Sequence, residues 1–294
     1  MRLTMVIATR GRPALLAETV RHTVLNMSRS SSAMLICIDD DDGPTLDSIR
    51  LLPKDDRIVV SVKPREDSRG EKYDRALTEA PADVYLPAVD CAPILTPAFD
   101  QIIINAARIF PDGIGCVYTP MANQFFPGLQ AITARMVQHL GHIYSHDYPF
   151  WFVDHELDDI ARMVGRYCVC PNIHVASAGL RPAKTIRMRD LAFWASYFDT
   201  ATLARRTAAS QILNAPDFEE TEWRKVVMAN WFHVVEARTH GIIANLHQNA
   251  KAIEAERGES GPPDEGYLRI KALAETKMEG MLAVQKVVRG MDGA

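Results

Sequence analysis

Apolar and polar positions along this chain follow two periods, and the changes of period mark its elements. LTMVIAT (3–9) is a continuous apolar and β-branched run that stops at RGRP. PALLAETVRHTVLN then places Leu15, Leu16, Thr19, Val20, Thr23 and Val24 at helical spacing, with Pro13 in the first turn, where a missing N–H costs nothing. AMLICI (33–38) reads as a second strand, cut off by DDDDG, and DRIVVSV (56–62) as a third. The helix-like GEKYDRALTEA and a fourth strand, DVYLPAV (83–89), follow. FDQIIINAARIF reads as helix, IGCVYT as strand, LQAITARMVQHLG as helix, YPFWFVDHELDDIARMVGR (148–166) as an aromatic-led helix, and YCVCPNIHVAS (167–177) as a last strand.

The order β, α, β, β, α, β with continuously apolar strands predicts an α/β fold: a mostly parallel sheet, buried on both faces and flanked by helices. From Met188 onward the pattern becomes long helix-compatible runs, LAFWASYFDTATLARRTAASQIL and the stretch from Glu220 to Glu256, broken at GESGPPDEG. The expected organisation is an α/β domain over 1–185 and a helical C-terminal region over 186–294.

Composition narrows the classes. A chain of 294 residues, 47% hydrophobic and 24% charged, can bury a large core. Its 33 Lys and Arg against 37 Asp and Glu leave a charge of -4, which offers no global attraction to nucleic acid or an anionic membrane. No window reaches the roughly 18 apolar residues of a membrane span, and MRLTMVIATRGRP is too brief for a signal sequence. Five cysteines, with no CxxC spacing, indicate neither a zinc site nor a complete disulfide framework, so a reduced, cytoplasmic protein is expected.

In an open parallel sheet, ligands bind beyond the carboxyl ends of the strands. That rule selects Thr9, Arg10 and Arg12 after the first strand, Asp39 to Asp42 after the second, Asp90 after the fourth, and His174 in the last. Each also has a plain reading as a loop charge or helix cap. IDDDDG fits that plain reading least, because adjacent carboxylates repel and a turn needs only one or two. A carboxylate there can accept from a base N–H or a ribose hydroxyl. No GxGxxG, GxxxxGK[ST] or GxSxG is present, so nicotinamide, P-loop and hydrolase-elbow readings drop out, and TRGRP is too poor in glycine for a nucleotidyltransferase loop.

Four segments in order, TMVIATRGRPALLAETV, LICIDDDDGPT, GEKYDRALTEAPADVYLPAVDCAPILTPAF and WFVDHELDDIARMVG, resemble the inverting GT-A glycosyltransferases related to family 2, over about 165 residues. The resemblance implies a GT-A sheet, a nucleotide-diphosphate sugar donor and an acceptor hydroxyl, with Mn2+ or Mg2+ as cofactor. It implies that Asp154 is the general base and that Glu156 orients the acceptor. Phe150, Trp151 and Phe152 would form an apolar wall, with Trp151 stacking on a sugar. Asp39, Asp40, Thr9, Arg10 and Arg12 would hold the nucleotide, and Lys72 and Arg75 would neutralise the diphosphate, unless they are exposed helix charges. Asp158 and Asp159 do not match and read as first-turn charges favoured by the helix dipole.

The family's Asp-x-Asp appears here as Asp90-Cys91-Ala92, one carboxylate short. His174 is either the late metal-shell histidine or a histidine satisfied by the backbone. The second functional reading is therefore a catalytically degenerate GT-A-like binding module with an interaction role for the helical tail. His139, His142 and His146 are a weak metal candidate, and His233, His240 and His247 mark a helix stripe in a core or an oligomer surface. A homo-oligomer through the C-terminal helices fits that pattern.

Overall fold

The computed structural model describes residues 1–28, 32–119, 128–176, 185–221, 231–258 and 261–291. Its strands are β1 (Leu3–Ala8), β2 (Ser32–Asp39), β3 (Ile58–Lys63), β4 (Val84–Val89), β5 (Cys116–Tyr118), β6 (Gln130–Thr133) and β7 (Tyr167–Val169). They form one sheet in the order β3-β2-β1-β4-β6-β5-β7. Pairing is parallel except for β6, which runs antiparallel to β4 and β5. Ala8 of β1 pairs with Cys37 of β2 and Val89 of β4, so β1 and β4 end together and β2 two residues further on. Chain order reverses across β1, and Thr9, Asp39 and Asp90 stand side by side at that switch.

The helices are α1 (Pro13–Asn26), α2 (Gly43–Ser48), α3 (Arg69–Glu79), α4 (Phe99–Ala107), α5 (Ala134–Leu140), α6 (Val153–Val164), α7 (Leu191–Thr200), α8 (Thr202–Leu213), α9 (Trp231–Arg257) and α10 (Glu265–Met291). Leu16, Val20 and Val24 of α1 and Phe99, Ile103 and Ile104 of α4 pack on one face of the sheet. The other face meets α3, α5 and α6, and this core continues without a break into α7, α9 and α10 through Trp194, Phe198, Val235, Leu246 and Tyr267. Leu157, Ile160 and Val164 of α6 lie in it, each contributing roughly 1.5–3 kcal/mol by burial.

Several expectations change. Residues 129–141 are not one helix. Gln130–Thr133 is a strand, and Thr133 ends it by capping α5, its hydroxyl accepting from the Met136 N–H at 3.3 Å. The last strand stops at Val169, so His174 lies outside it. β3 is an edge strand with Val59 and Val62 exposed, not buried on both faces. α5 ends at Leu140 with Gly141 left-handed, so His139, His142 and His146 share no helix face. Two of them have separate partners: His139 meets Asp217 at 3.2 Å and His146 meets Asp74 at 2.7 Å. On α9, His233 and His240 are exposed rather than core residues. The residues 222–230 of the expected long helix, and Ser177 of the expected last strand, lie outside the described residues. Among the described residues no helix is long and apolar enough to cross a membrane.

Candidate active site at the strand ends

At the end of β1 the chain turns through Gly11, whose φ of +67° is one that side-chain-bearing residues rarely adopt. The Gly11 N–H donates to Asp42 at 2.8 Å, and Asp42 caps α2. This ties the β1 loop to the acidic β2 loop. Arg10 spans them, donating to Asp39 at 2.9 Å and to Asp41 at 2.9 Å.

Asp39 is buried, and three cations meet on it. Besides Arg10, Lys72 pairs with one oxygen and Arg75 stands 3.8 Å from that same oxygen. It is therefore an anchor, with no free oxygen for a base or ribose. Asp40, next to it, is exposed and is the carboxylate left at the rim. Arg75 is structural too. It forks onto Glu66 at 2.5 and 2.6 Å and donates to the carbonyls of Ile38 at 3.0 Å and Ser61 at 3.2 Å, binding the ends of β2 and β3 to α3. Lys72 is mostly buried; burial pulls its pKa down against the opposing charge of Asp39. Neither side chain stands where an exposed diphosphate would meet it.

Across the switch, Asp90 is fully buried. Thr9 donates to one oxygen at 2.7 Å, and Arg12 lies 3.0 Å from the other. Burial nevertheless pushes its pKa up, against Arg12 and the Thr9 hydroxyl. His174 is exposed, and its backbone rather than its ring makes the recorded bonds: the N–H donates to Thr96 at 2.7 Å and the carbonyl accepts from Leu95 at 2.9 Å.

The first turn of α6 comes to this edge through three contacts. Gly70 of α3 packs against the loop before α6 so closely that a Cβ there would lie 2.4 Å from the Tyr144 carbonyl. Asp74 accepts from the Ile143 N–H at 2.8 Å. Gln130, buried in β6 and held by the Tyr144 hydroxyl at 2.9 Å, donates to the Asp154 carbonyl at 2.9 Å. Phe152, just before the helix, has φ +70°, a strained conformation for an aromatic residue, stabilised by its stack on Phe198 at 4.9 Å.

The side chain of Asp154 is 36% exposed, and one of its oxygens lies 3.0 Å from the His155 ring. Burial pushes its pKa up, but the charge and hydrogen bond of His155, and then Arg69, outweigh this and hold it below the ordinary carboxylate range. The carboxylate is thus ionised, its burial outweighed by these neighbours. Phe152 is turned inward onto Phe198, and Trp151 is only 9% exposed, so neither is an open sugar platform.

Glu156 is about 200° further round the helix from Asp154. It lines a closed void of about 10 Å³ with Tyr144 and Ser145, so the two carboxylates do not share a site. Asp158 and Asp159 are no surface charges. Asp158 pairs with Arg162 and Arg238 at 2.8 Å each, and Asp159 with Arg205 at 3.0 Å and the Thr239 hydroxyl at 2.6 Å. They fasten α6 to α8 and α9.

Against solved structures, most of the chain aligns. A mannosyltransferase from Pyrobaculum calidifontis, in complex with GDP-Man and Mn2+, matches 97% of this chain and 87% of its own, at 13% identity and TM-score 0.50. The S. aureus TarS 1-349 structure matches 86% and 92%, at 9% identity and TM-score 0.50, and a TarS 1-349 complex with UDP-GlcNAc gives the same values. The chain has the GT-A glycosyltransferase fold. No family model and no curated protein matches the sequence.

The Mn2+ in that GT-A neighbour makes metal fit worth testing on this chain's donors. Hard cations need several open oxygens. Asp90 offers none, Ala92 has no oxygen, and Cys91 stays a protonated thiol because burial and the charge of Asp90 push it up. Among the described residues no group of three His, Cys, Asp or Glu side chains is placed to hold an ion. These residues do not fit the group.

Two functional candidates escaped sequence reasoning. Gln130 looked like part of a helix. Arg69 sits in SRGEKYDR as one of several charges, and what sets it apart is that it pairs with no carboxylate among the described residues. Its Nε and Nη2 donate to the Tyr73 hydroxyl at 3.1 and 2.8 Å, and it lies over the Phe150 ring at 5.2 Å. A roughly 640 Å³ groove between α8 and α9, lined by Leu203, Arg206 and Phe232, has none of the strand-end residues in its wall.

Proposed function

We propose that the chain is an inverting glycosyltransferase that moves a sugar from a nucleotide-diphosphate donor to an acceptor hydroxyl. The observation that carries this reading is the partly exposed, ionised Asp154, clamped through its backbone by Gln130 and set beside Arg69 at the edge where β1, β2 and β4 end. In the proposed reaction the acceptor oxygen attacks the anomeric carbon from the side opposite the diphosphate, and its proton passes to Asp154. The nucleotide lies over the β1 switch, with Asp40 and the rim of Arg10 toward the base and ribose. The neighbours' GDP-Man and UDP-GlcNAc support this donor class.

Asp154→Asn is expected to lower transfer by roughly 10²–10⁴-fold while leaving donor affinity nearly unchanged, as measured by transfer assay and calorimetry. Parallel loss of donor binding would reject the general-base role. The sealed Asp90 favours one other reading, a degenerate GT-A-like binding module. A thermal-shift panel of UDP-, GDP-, CDP- and dTDP-sugars separates the two from a protein that binds no donor, since ligand at 100 times its Kd adds about 2.7 kcal/mol. Binding without turnover across a range of acceptors selects the module.

A further inference from the structure

A departing nucleoside diphosphate develops negative charge that something must neutralise. The two buried carboxylates at the switch are engaged: the oxygens of Asp90 face Thr9 and Arg12, and those of Asp39 face Arg10, Lys72 and Arg75. Arg69 is different. No carboxylate lies within ion-pair distance of it among the described residues, and its two recorded hydrogen bonds run to one uncharged hydroxyl. Tyr73, which accepts both, itself donates to the Ala88 carbonyl of β4 at 2.8 Å, so the guanidinium is referenced to the strand that ends in Asp90. The Phe150 ring holds its other flank. Its charge acts on Asp90 and Cys91 at the switch and on the candidate base Asp154. Arg12 adds a second donor, its Nη1, with no acceptor among the described residues. A partly buried, preorganised guanidinium without an acid partner is suited to an anionic ligand, and its fork matches two phosphate oxygens.

We infer that the donor's diphosphate takes its counter-charge from Arg69, assisted by Arg12, in place of a divalent cation; this rests on the transferase reading above. As the anomeric C–O bond to phosphate breaks, its electron pair stays on the diphosphate beside Arg69. The acceptor oxygen forms the new bond, and its proton goes to Asp154.

Calorimetry with UDP- and GDP-sugars and with inorganic pyrophosphate, in excess EDTA and then in excess Mn2+, tests this. Wild type is expected to bind one nucleotide-sugar class equally in both. Arg69→Gln should weaken that binding by about tenfold or more while leaving the corresponding nucleoside within about twofold, and Arg69→Lys should lie between them. If Arg69→Gln does not fold, Tyr73→Phe, which keeps the charge and loosens its aim, should show the same selective loss on a smaller scale. Binding that appears only with Mn2+, or equal affinities of wild type and variants, overturns the inference and leaves the transferase reading standing. Failure of every nucleotide sugar and of pyrophosphate to bind, with or without metal, overturns both.

Discussion

Asp154 and His155 shift each other in opposite directions, and the signs set a pH window. The Asp154 pKa is depressed, so its contribution to stability is present above the unfolded value of about 3.9 and is lost as pH falls through the lower folded value. Burial pulls His155 down, but Asp154, Asp158 and Asp159 together raise it. Its contribution is therefore complete below about pH 6.5 and is lost as pH rises through the higher folded value. His155→Asn should lower Tm between about pH 4 and 6.5 and flatten both the acid and the alkaline limb of Tm against pH, because it removes both shifts. At the same scale, Arg75→Ala should cost about 3–5 kcal/mol in denaturant unfolding, because it strands buried Asp39 and Glu66 beside fewer cations. The sequence could not separate Arg75 from Arg69. Both are bases of one helix, six residues apart, and the number of acids each meets depends on distant loops.

At the scale of elements, α6 is a helix whose two ends do different work. Its first turn carries Asp154 to the strand ends, and its middle sends Asp158 and Asp159 into the C-terminal helices. Arg205 is 2% exposed, so Arg205→Met should leave Asp159 a buried, poorly paired charge and cost about 3–5 kcal/mol. Adding Asp159→Leu should recover much of that loss, since an apolar pair can replace a buried ionic one. Chemical denaturation of the single and double variants measures both. The acidic run was legible as a helix start; its burial was not. Periodicity reports which positions share a face, and charged residues on a face that receives arginines look the same as charges facing water. The strand β6 was hidden for a similar reason: LQAIT is too short for its period to be told from the helix it enters.

For the whole molecule, the C-terminal helices share one core with α6 and the sheet. Salt bridges cross between the two regions as well: Arg65 to Asp264 at 3.0 Å and Lys277 to Asp147 at 2.7 Å, with a bond from Arg187 to the Glu66 carbonyl at 2.9 Å. A chain ended at residue 185 should therefore lose cooperative thermal unfolding, read by near-UV circular dichroism, because it exposes Tyr148, Phe152 and Leu157 and leaves Asp158 and Asp159 without Arg238 and Arg205.

What the amino-acid sequence determined by itself was the parallel part of the sheet and its polar edge. Continuous apolar runs of strand length, joined through helices, favour parallel pairing, with β1, β2 and β4 covered on both faces, and the polar residues that end these three strands then gather at one edge. Which of those polar residues face a ligand was decided only by tertiary structure. Asp39, Asp90, Lys72 and Arg75 neutralise one another inside the protein, whereas Asp154, Asp40 and Arg69 are left toward the opening. The physical reason is that a charge is spent or available according to the partners within about 4 Å, and the partners of Asp39 and Asp90 come from segments 29 to 81 residues away in sequence.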